Sequence, residues 1–321
     1  MRLILADSVT MFRLEEGRNM SVATARPMIP ASPIDDEAVA AFRDDFRGPL
    51  LQPGDEGYDA ARRIWNAMID RRPALIAQCT GVGDVMRAVD FARRHDLLLA
   101  VRGGGHNVAG NAICDDGLVI DLSPMKGIRV DPAARTVRAE GGVTWGELDR
   151  ETQAFGLATV GGTVSTTGIA GLTLGGGFGW LMRRHGLACD NLLAADVVTA
   201  DGRLLRASAT ENPELFWGLR GGGGNFGIAA SFEFRLHEVG PTVLAGPIFH
   251  PIEAARDLLR FFGEHGPTLP ETVGCMAALV TSPDGIPLAA LFPVYAGPLD
   301  RGEEALRPLR QLGSPVADLV A

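Results

Sequence analysis

Residues 101–123 read VRGGGHNVAGNAICDDGLVIDLS. The run holds a strand end, three glycines, a histidine and an asparagine, and then a second apolar strand, LVIDLS. Glycine adopts positive φ without cost and lets a ligand touch the backbone. Three in a row after a strand therefore turn N–H groups toward an anion such as a diphosphate, with His106 projecting at whatever lies beside it. Alone the pattern is weak, because a histidine following glycines is most often a loop residue. Its meaning depends on what flanks it.

Upstream, PALIAQC reads as a strand, DVMRAVDFARRH has helical period with basic residues near its end, and LLLAVR is a buried strand. This is a βαβ unit with Gly103, Gly104 and Gly105 at the end of its second strand. Before it, residues 1–35 mix Pro, Ser and charge without period and predict an irregular arm, and an amphipathic helix begins near Asp35. Downstream, IRVDPAARTVRAEG and LLAADVVTADGRLLRAS are hairpins, the second turning at Asp201-Gly202. Between them GELDRETQAFG reads as a helix stopped by Gly156. Residues 160–179 are too polar for a core helix and too regular for a disordered linker. A short helix at ELFWGLR and the alternating strand IAASFEFRLHEV follow. After Pro241 the order strand, helix, strand, strand, helix predicts an antiparallel sheet with helices on one face. The chain stops at Ala321 directly after the apolar VADLV, which reads as a pattern cut short.

Composition narrows the chemistry. A net charge of -9 and a pI of about 5.2 argue against nucleic acid, which is held by clustered Lys and Arg, and point to a small-molecule substrate. The 41 glycines among 321 residues are nearly double an average usage of about 7% and cluster in runs. Lys126 is the sole lysine, so no P-loop can be written. Cys79, Cys114, Cys189 and Cys275 show no metal-ligand or disulfide spacing and read as buried thiols, so no metal is expected. No signal peptide or membrane span is evident, and Met20 is a possible natural start; a cytoplasmic location is the default expectation. One G-x-G-x-x-G exists, at Gly222, Gly224 and Gly227. A Rossmann fingerprint needs a strand before and a helix after, whereas here a helix precedes and a strand follows, so a nicotinamide site is disfavoured.

Four segments in order carry a resemblance: VRGGGHNVAGNAICDDGLVIDLS, GGVTWGELD, VGGTVSTTGIAGLTLGGGFGWLMRRHGLACDNLLAADVVTADG and NPELFWGLRGGGGNFGI. Over roughly residues 58–238 the chain resembles the berberine-bridge-enzyme-like FAD-linked oxidases of the vanillyl-alcohol-oxidase superfamily. The resemblance implies an α+β fold: a PCMH-type FAD-binding domain of two α/β subdomains over 36–240, divided near 125, then an incomplete antiparallel sheet-plus-helix substrate domain over 241–321. It implies FAD as cofactor, with His106 bonded to the flavin 8α-carbon and Arg102, Gly103, Gly104, Gly105, His106 and Asn107 along the pyrophosphate. Gly161, Gly162, Thr163, Thr166, Thr167, Gly168 and Gly171 match the segment along the ring and ribityl chain, and Gly175, Gly176, Gly177 and Gly179 continue that loop. Val197 matches a backbone contact to adenine, and Gly227 and Ile228 close the site. Thr163 stands where many relatives carry a second flavin-bonding cysteine, which implies a single covalent link. The implied reaction is hydride transfer from an alcohol-type substrate to flavin, with molecular oxygen as electron acceptor. The catalytic base is expected beyond residue 321, and the rival expectation is a catalytically incomplete flavin-binding fragment. His185, His237, His250 and His265 lack evident partners in the sequence and read as exposed or packing residues, and Tyr295 belongs to the substrate-side sheet. Neither the substrate nor the oligomeric state is legible.

Overall fold

The structure, a computed structural model, describes residues 34–321. The irregular arm and the start at Met20 thus lie outside the described residues, Ile34 and Asp35 excepted. Helix α1 (Asp36–Asp44) opens at Asp35, whose carboxylate accepts from the Glu37 N–H at 3.2 Å. Its buried Phe42 stacks on Phe91 with ring centroids 4.3 Å apart. There follow β1 (Leu50–Leu51), α2 (Tyr58–Ala61), β2 (Leu75–Gln78), α3 (Val82–Arg94), β3 (Leu99–Arg102) and β4 (Leu118–Asp121). The sheet order is β1-β2-β4-β3, with β2 and β3 parallel to β4 and β1 antiparallel at the edge. The expected βαβ unit is β2-α3-β3, with the later strand β4 inserted between its strands. Gln78 and Arg102 therefore both align with Asp121. These central strands are covered on both faces, which is why they read as unbroken apolar runs rather than alternating ones. Helix α3 buries Val85, Ala88, Val89 and Ala92, the i, i+3, i+4, i+7 stripe its sequence predicts.

The second layer runs through β5 (Ile128–Asp131), β6 (Thr136–Glu140), α4 (Trp145–Gln153), β7 (Leu157–Ala158), α5 (Ile169–Leu174), α6 (Met182–His185), β8 (Leu192–Val198), β9 (Leu204–Ser208), α7 (Pro213–Leu219), β10 (Ile228–Arg235) and β11 (His237–Glu238). Its main sheet is antiparallel in the order β5-β6-β10-β8-β9, with both expected hairpins present. Helix α4 begins with a capping box, Thr144 and Glu147 bonding reciprocally, and buries Trp145 beside Phe234. Val198, Ile228 and Ala230 of this sheet belong to the same core as α3 and the first sheet, so the two layers are joined by one apolar seam. The region 160–179 differs from its reading, for it contains α5, buried at Ile169, Ala170, Thr173 and Leu174. Six residues are too few for helical period to show against so many glycines.

The third layer comprises β12 (Leu244–Ala245), β13 (Ile248–Pro251), α8 (Ala255–His265), β14 (Val273–Thr281), β15 (Pro287–Tyr295), α9 (Gly302–Arg310) and β16 (Ala317–Asp318). Strand β15 pairs antiparallel with β14 on one side and with β12 and β13 on the other, and β16 adds to β13. Leu258 of α8 and Leu306 and Leu309 of α9 pack on Ile248, Val273, Leu291 and Tyr295. No described helix is long and apolar enough to cross a membrane.

Candidate functional site

The strand ends around the glycine run are pinned by charge. Arg102 closes β3, and its Nε and Nη2 donate to the two Asp121 carboxylate oxygens on β4 at 3.1 and 2.6 Å. The remaining Nη1 donates to the carbonyls of Ala61 and Arg63, tying in the chain after α2. The pair is buried and fork-shaped, the geometry in which a guanidinium gives most. Burial pushes the Asp121 carboxyl up, but Arg102 and the Ser123 N–H and hydroxyl outweigh it and hold the group below the ordinary carboxylate value.

Beyond this pin lies a cleft of about 540 Å³, within the roughly 300–1,000 Å³ of ligand pockets. Among the expected residues, Gly103, Gly104, His106, Asn107, Thr167, Gly168, Gly171, Gly175, Gly227 and Ile228 line it. Segments nearly 130 residues apart in sequence thus meet in one cavity. Asn111, Leu122, Leu172, Gly223 and Asn225 also line it and were not singled out by the sequence, while Gly224 was read only as part of a G-x-G-x-x-G. Only the glycine run at 221–224 could have signalled Gly223 and Asn225. Among the described residues, the N–H groups of Gly103, Gly104 and His106 donate to no protein carbonyl and remain free for an anion.

The glycines do two different jobs. Two pairs let backbones touch: a Cβ on Gly104 would lie 2.3 Å from the Gly168 N, and one on Gly179 would lie 1.7 Å from the Gly161 carbonyl oxygen. At Gly171 and Gly224, which line the cleft, a Cβ would meet nothing within 4 Å. That is a cradle of bare backbone along an open slot, and the residues present fit a flat, anionic cofactor such as FAD.

Other expected residues sit elsewhere. Arg102 does not line the cleft, because Asp121 and the two carbonyls consume its guanidinium. Gly105, Gly161, Gly162, Gly176, Gly177 and Gly179 are absent from its lining: Gly161, Gly162, Gly177 and Gly179 close-pack the surrounding loops, and Gly105 and Gly176 take positive φ with room around them. Thr163 is exposed. Val197 is fully buried in β8, on the strand next to the cleft-lining Ala229 with which it pairs, and does not itself line the cleft.

His106 stands at the cleft edge with three neighbours. The Trp65 indole stacks on its ring at 5.2 Å between centroids and 19° between planes. Thr166 Oγ1 lies 3.2 Å from Nε2 and Thr167 Oγ1 3.4 Å from Nδ1. Burial lowers the imidazole pKa, so the ring is neutral at neutral pH and a ring nitrogen carries a lone pair.

Of the other histidines singled out by the sequence, His185, His237 and His265 have partners, whereas the Nε2 of His250 has none among the described residues. His185 and His237 stack on each other at 3.7 Å, and His237 Nε2 lies 2.7 Å from Asn191 Oδ1. The sequence hides this because the two are 52 positions apart. His265 Nδ1 lies 3.1 Å from the Phe261 carbonyl, and His250 is packed at 2% exposure. Cys79, Cys114 and Cys189 are buried thiols, whereas Cys275 on β14 is only half-buried, since its strand is not fully covered. Tyr295 is core, not cleft.

Comparison with known proteins agrees with this geometry. The family profile described as an FAD binding domain matches residues 73–208. The chain is similar to (R)-6-hydroxynicotine oxidase of Paenarthrobacter nicotinovorans, 36% identical over 86% of this chain and 61% of the relative. Among solved structures, 6-hydroxy-D-nicotine oxidase of Arthrobacter nicotinovorans superposes with a TM-score of 0.81 at 37% identity, over 86% of this chain and 61% of that one. A Physcomitrella patens BBE-like protein gives 0.78 at 26%, over 87% and 61%. The chain thus spans about three fifths of the length of the relatives it matches. With the profile match, the structural superpositions and the glycine-built cleft in agreement, this chain belongs to the FAD-linked oxidoreductases of the berberine-bridge-enzyme-like type, with their PCMH-type FAD-binding fold.

Proposed function

We propose that the chain binds FAD in the cleft between its first two sheets, bonded once through His106, and serves an oxidoreductase acting on an alcohol-type small molecule. The observation that carries the reading is a histidine held at the edge of a slot lined by glycine backbone from several loops, with aliphatic side chains such as Leu122, Leu172 and Ile228 completing its walls. FAD, when bound, accepts a hydride from substrate and passes the electrons on, here to molecular oxygen. The protein's share is binding and orientation. Free N–H groups of Gly103, Gly104 and His106 hold the diphosphate, and Gly168, Gly171 and Gly175 admit the cofactor body. Gly227 and Ile228 close the slot, with Val197 supporting them from the neighbouring strand. Gly161, Gly162, Gly176, Gly177 and Gly179 form the rigid backing of the α5 loop. Thr163, with no thiol, supports a single bond.

The test is acid precipitation of the purified chain. Flavin retained in the pellet by wild type and lost from the pellet in His106→Ala supports the reading. Flavin that stays in the supernatant for both contradicts the covalent bond, and a colourless wild-type chain incubated with FAD contradicts the cofactor.

A further inference from the structure

Three side chains surround the His106 ring: Trp65, Thr166 and Thr167. Residues 62–69 pass over the glycine run and are tied to it: Trp65 N–H donates to the Gly105 carbonyl at 3.1 Å, and Asn66 Nδ2 donates to the Val108 carbonyl at 2.9 Å. This anchoring brings the Trp65 indole flat onto one face of the imidazole. The two ring nitrogens face different surroundings. Thr166, at Nε2, is exposed and does not line the cleft, whereas Thr167, at Nδ1, is half-buried and does. Nε2 therefore points to the solvent side and Nδ1 to the cofactor side.

We propose that Trp65 and Thr166 are positioning residues for flavin attachment: the indole holds the plane of the His106 ring, and the Thr166 hydroxyl accepts the Nε2 proton so that Nδ1 presents its lone pair to the cleft. The proposal rests on the covalent reading given above. A neutral imidazole has one N–H and one lone pair, and the bond made at one nitrogen fixes which the other has. In the attachment, one C–H bond of the flavin 8α-methyl breaks and the Nδ1–C bond forms. The imidazole then sheds its Nε2 proton toward Thr166 and solvent. Two electrons and two protons leave in all, and dioxygen takes them to become hydrogen peroxide. The Thr167 hydroxyl, at the longer 3.4 Å, gives way to the incoming carbon.

The test uses the full chain incubated with FAD in air. Total bound flavin is measured after gel filtration and acid-stable flavin by fluorescence of the precipitated protein, with rates normalised to flavin bound. T166V and W65A are expected to bind FAD to the wild-type level and attach it on the order of 10-fold more slowly, the lower end of the effect seen when a partner that orients a metal-ligating histidine is removed. T166S and W65F restore the rate, and NMR of the wild-type flavin peptide shows the bond at Nδ1. Unchanged rates in T166V and W65A, a bond at Nε2, or variants that bind no flavin would each overturn the assignment. A wild-type chain that takes up FAD but holds none after acid overturns the covalent reading itself, before any variant is compared.

Discussion

Asp121 shows how much of the site depends on single residues outside the cleft. It is fully buried, and its two oxygens are the only acceptors holding the inner edge of the Arg102 fork among the described residues. Asp121→Asn leaves a guanidinium nine-tenths buried without its counter-charge, and such a loss costs about 3–5 kcal/mol. Urea unfolding should show it as a lower midpoint, and an unchanged midpoint would mean that the two carbonyl bonds suffice. Gly104→Ala is the complementary prediction. The added methyl overlaps the Gly168 backbone at 2.3 Å, so the β3–β4 loop and the α5 loop must part. A cost of about 1–3 kcal/mol is expected, with loss of flavin uptake in the same protein, read by equilibrium dialysis against FAD. At this scale the sequence was half informative. The three glycines after a strand gave the expectation of an anion nest, and Gly103, Gly104 and His106 do line one cleft. What it could not show is which glycines face the ligand and which face other backbone, because both demands select the same residue. Nor could it show that Arg102 turns away from the cleft, since its partner Asp121 becomes a neighbour only through parallel pairing of β3 and β4.

At the scale of elements, legibility followed length and period. The hairpins β5–β6 and β8–β9 and helix α3 carry alternation or a helical stripe over enough residues to be read directly. Helix α5 does not, and it sits where the cofactor segment was expected. The contact between α6 and β11 was equally hidden, though it has a measurable consequence. Burial, reinforced by His185, Arg235 and Arg184, depresses the His237 pKa from its ordinary 6.5 to about 4. An unfolded His237 binds its proton near 6.5, while the folded one resists until about 4. The stabilisation is thus fully present above pH 6.5 and is lost as the pH falls from there toward 4. Thermal midpoints measured across that interval should decline, and His237→Phe, which keeps a ring on His185 but cannot titrate, should decline less. Equal slopes in the two proteins would assign the acid sensitivity to other groups.

At the scale of the whole molecule, the three larger sheets among the described residues divide the work. The parallel sheet ends in the glycine run, the antiparallel second sheet supplies Ile228 and Ala229 as the opposite wall, and the third sheet is a separate core of its own. The joint between the first two is apolar and continuous, so it fixes the two sheets on which the cleft-lining loops are mounted. This arrangement was visible in sequence only through the order of four motifs, because no single period or spacing encodes a cavity made between sheets. The central claim is that this cavity takes FAD and bonds it through His106. Acid precipitation of wild type and His106→Ala, each purified after incubation with FAD, tests it most directly. A bond through His106 leaves yellow, flavin-fluorescent protein in the wild-type pellet and a colourless pellet for the variant. Flavin in the supernatant from both proteins, or bonded flavin persisting without His106, would contradict it.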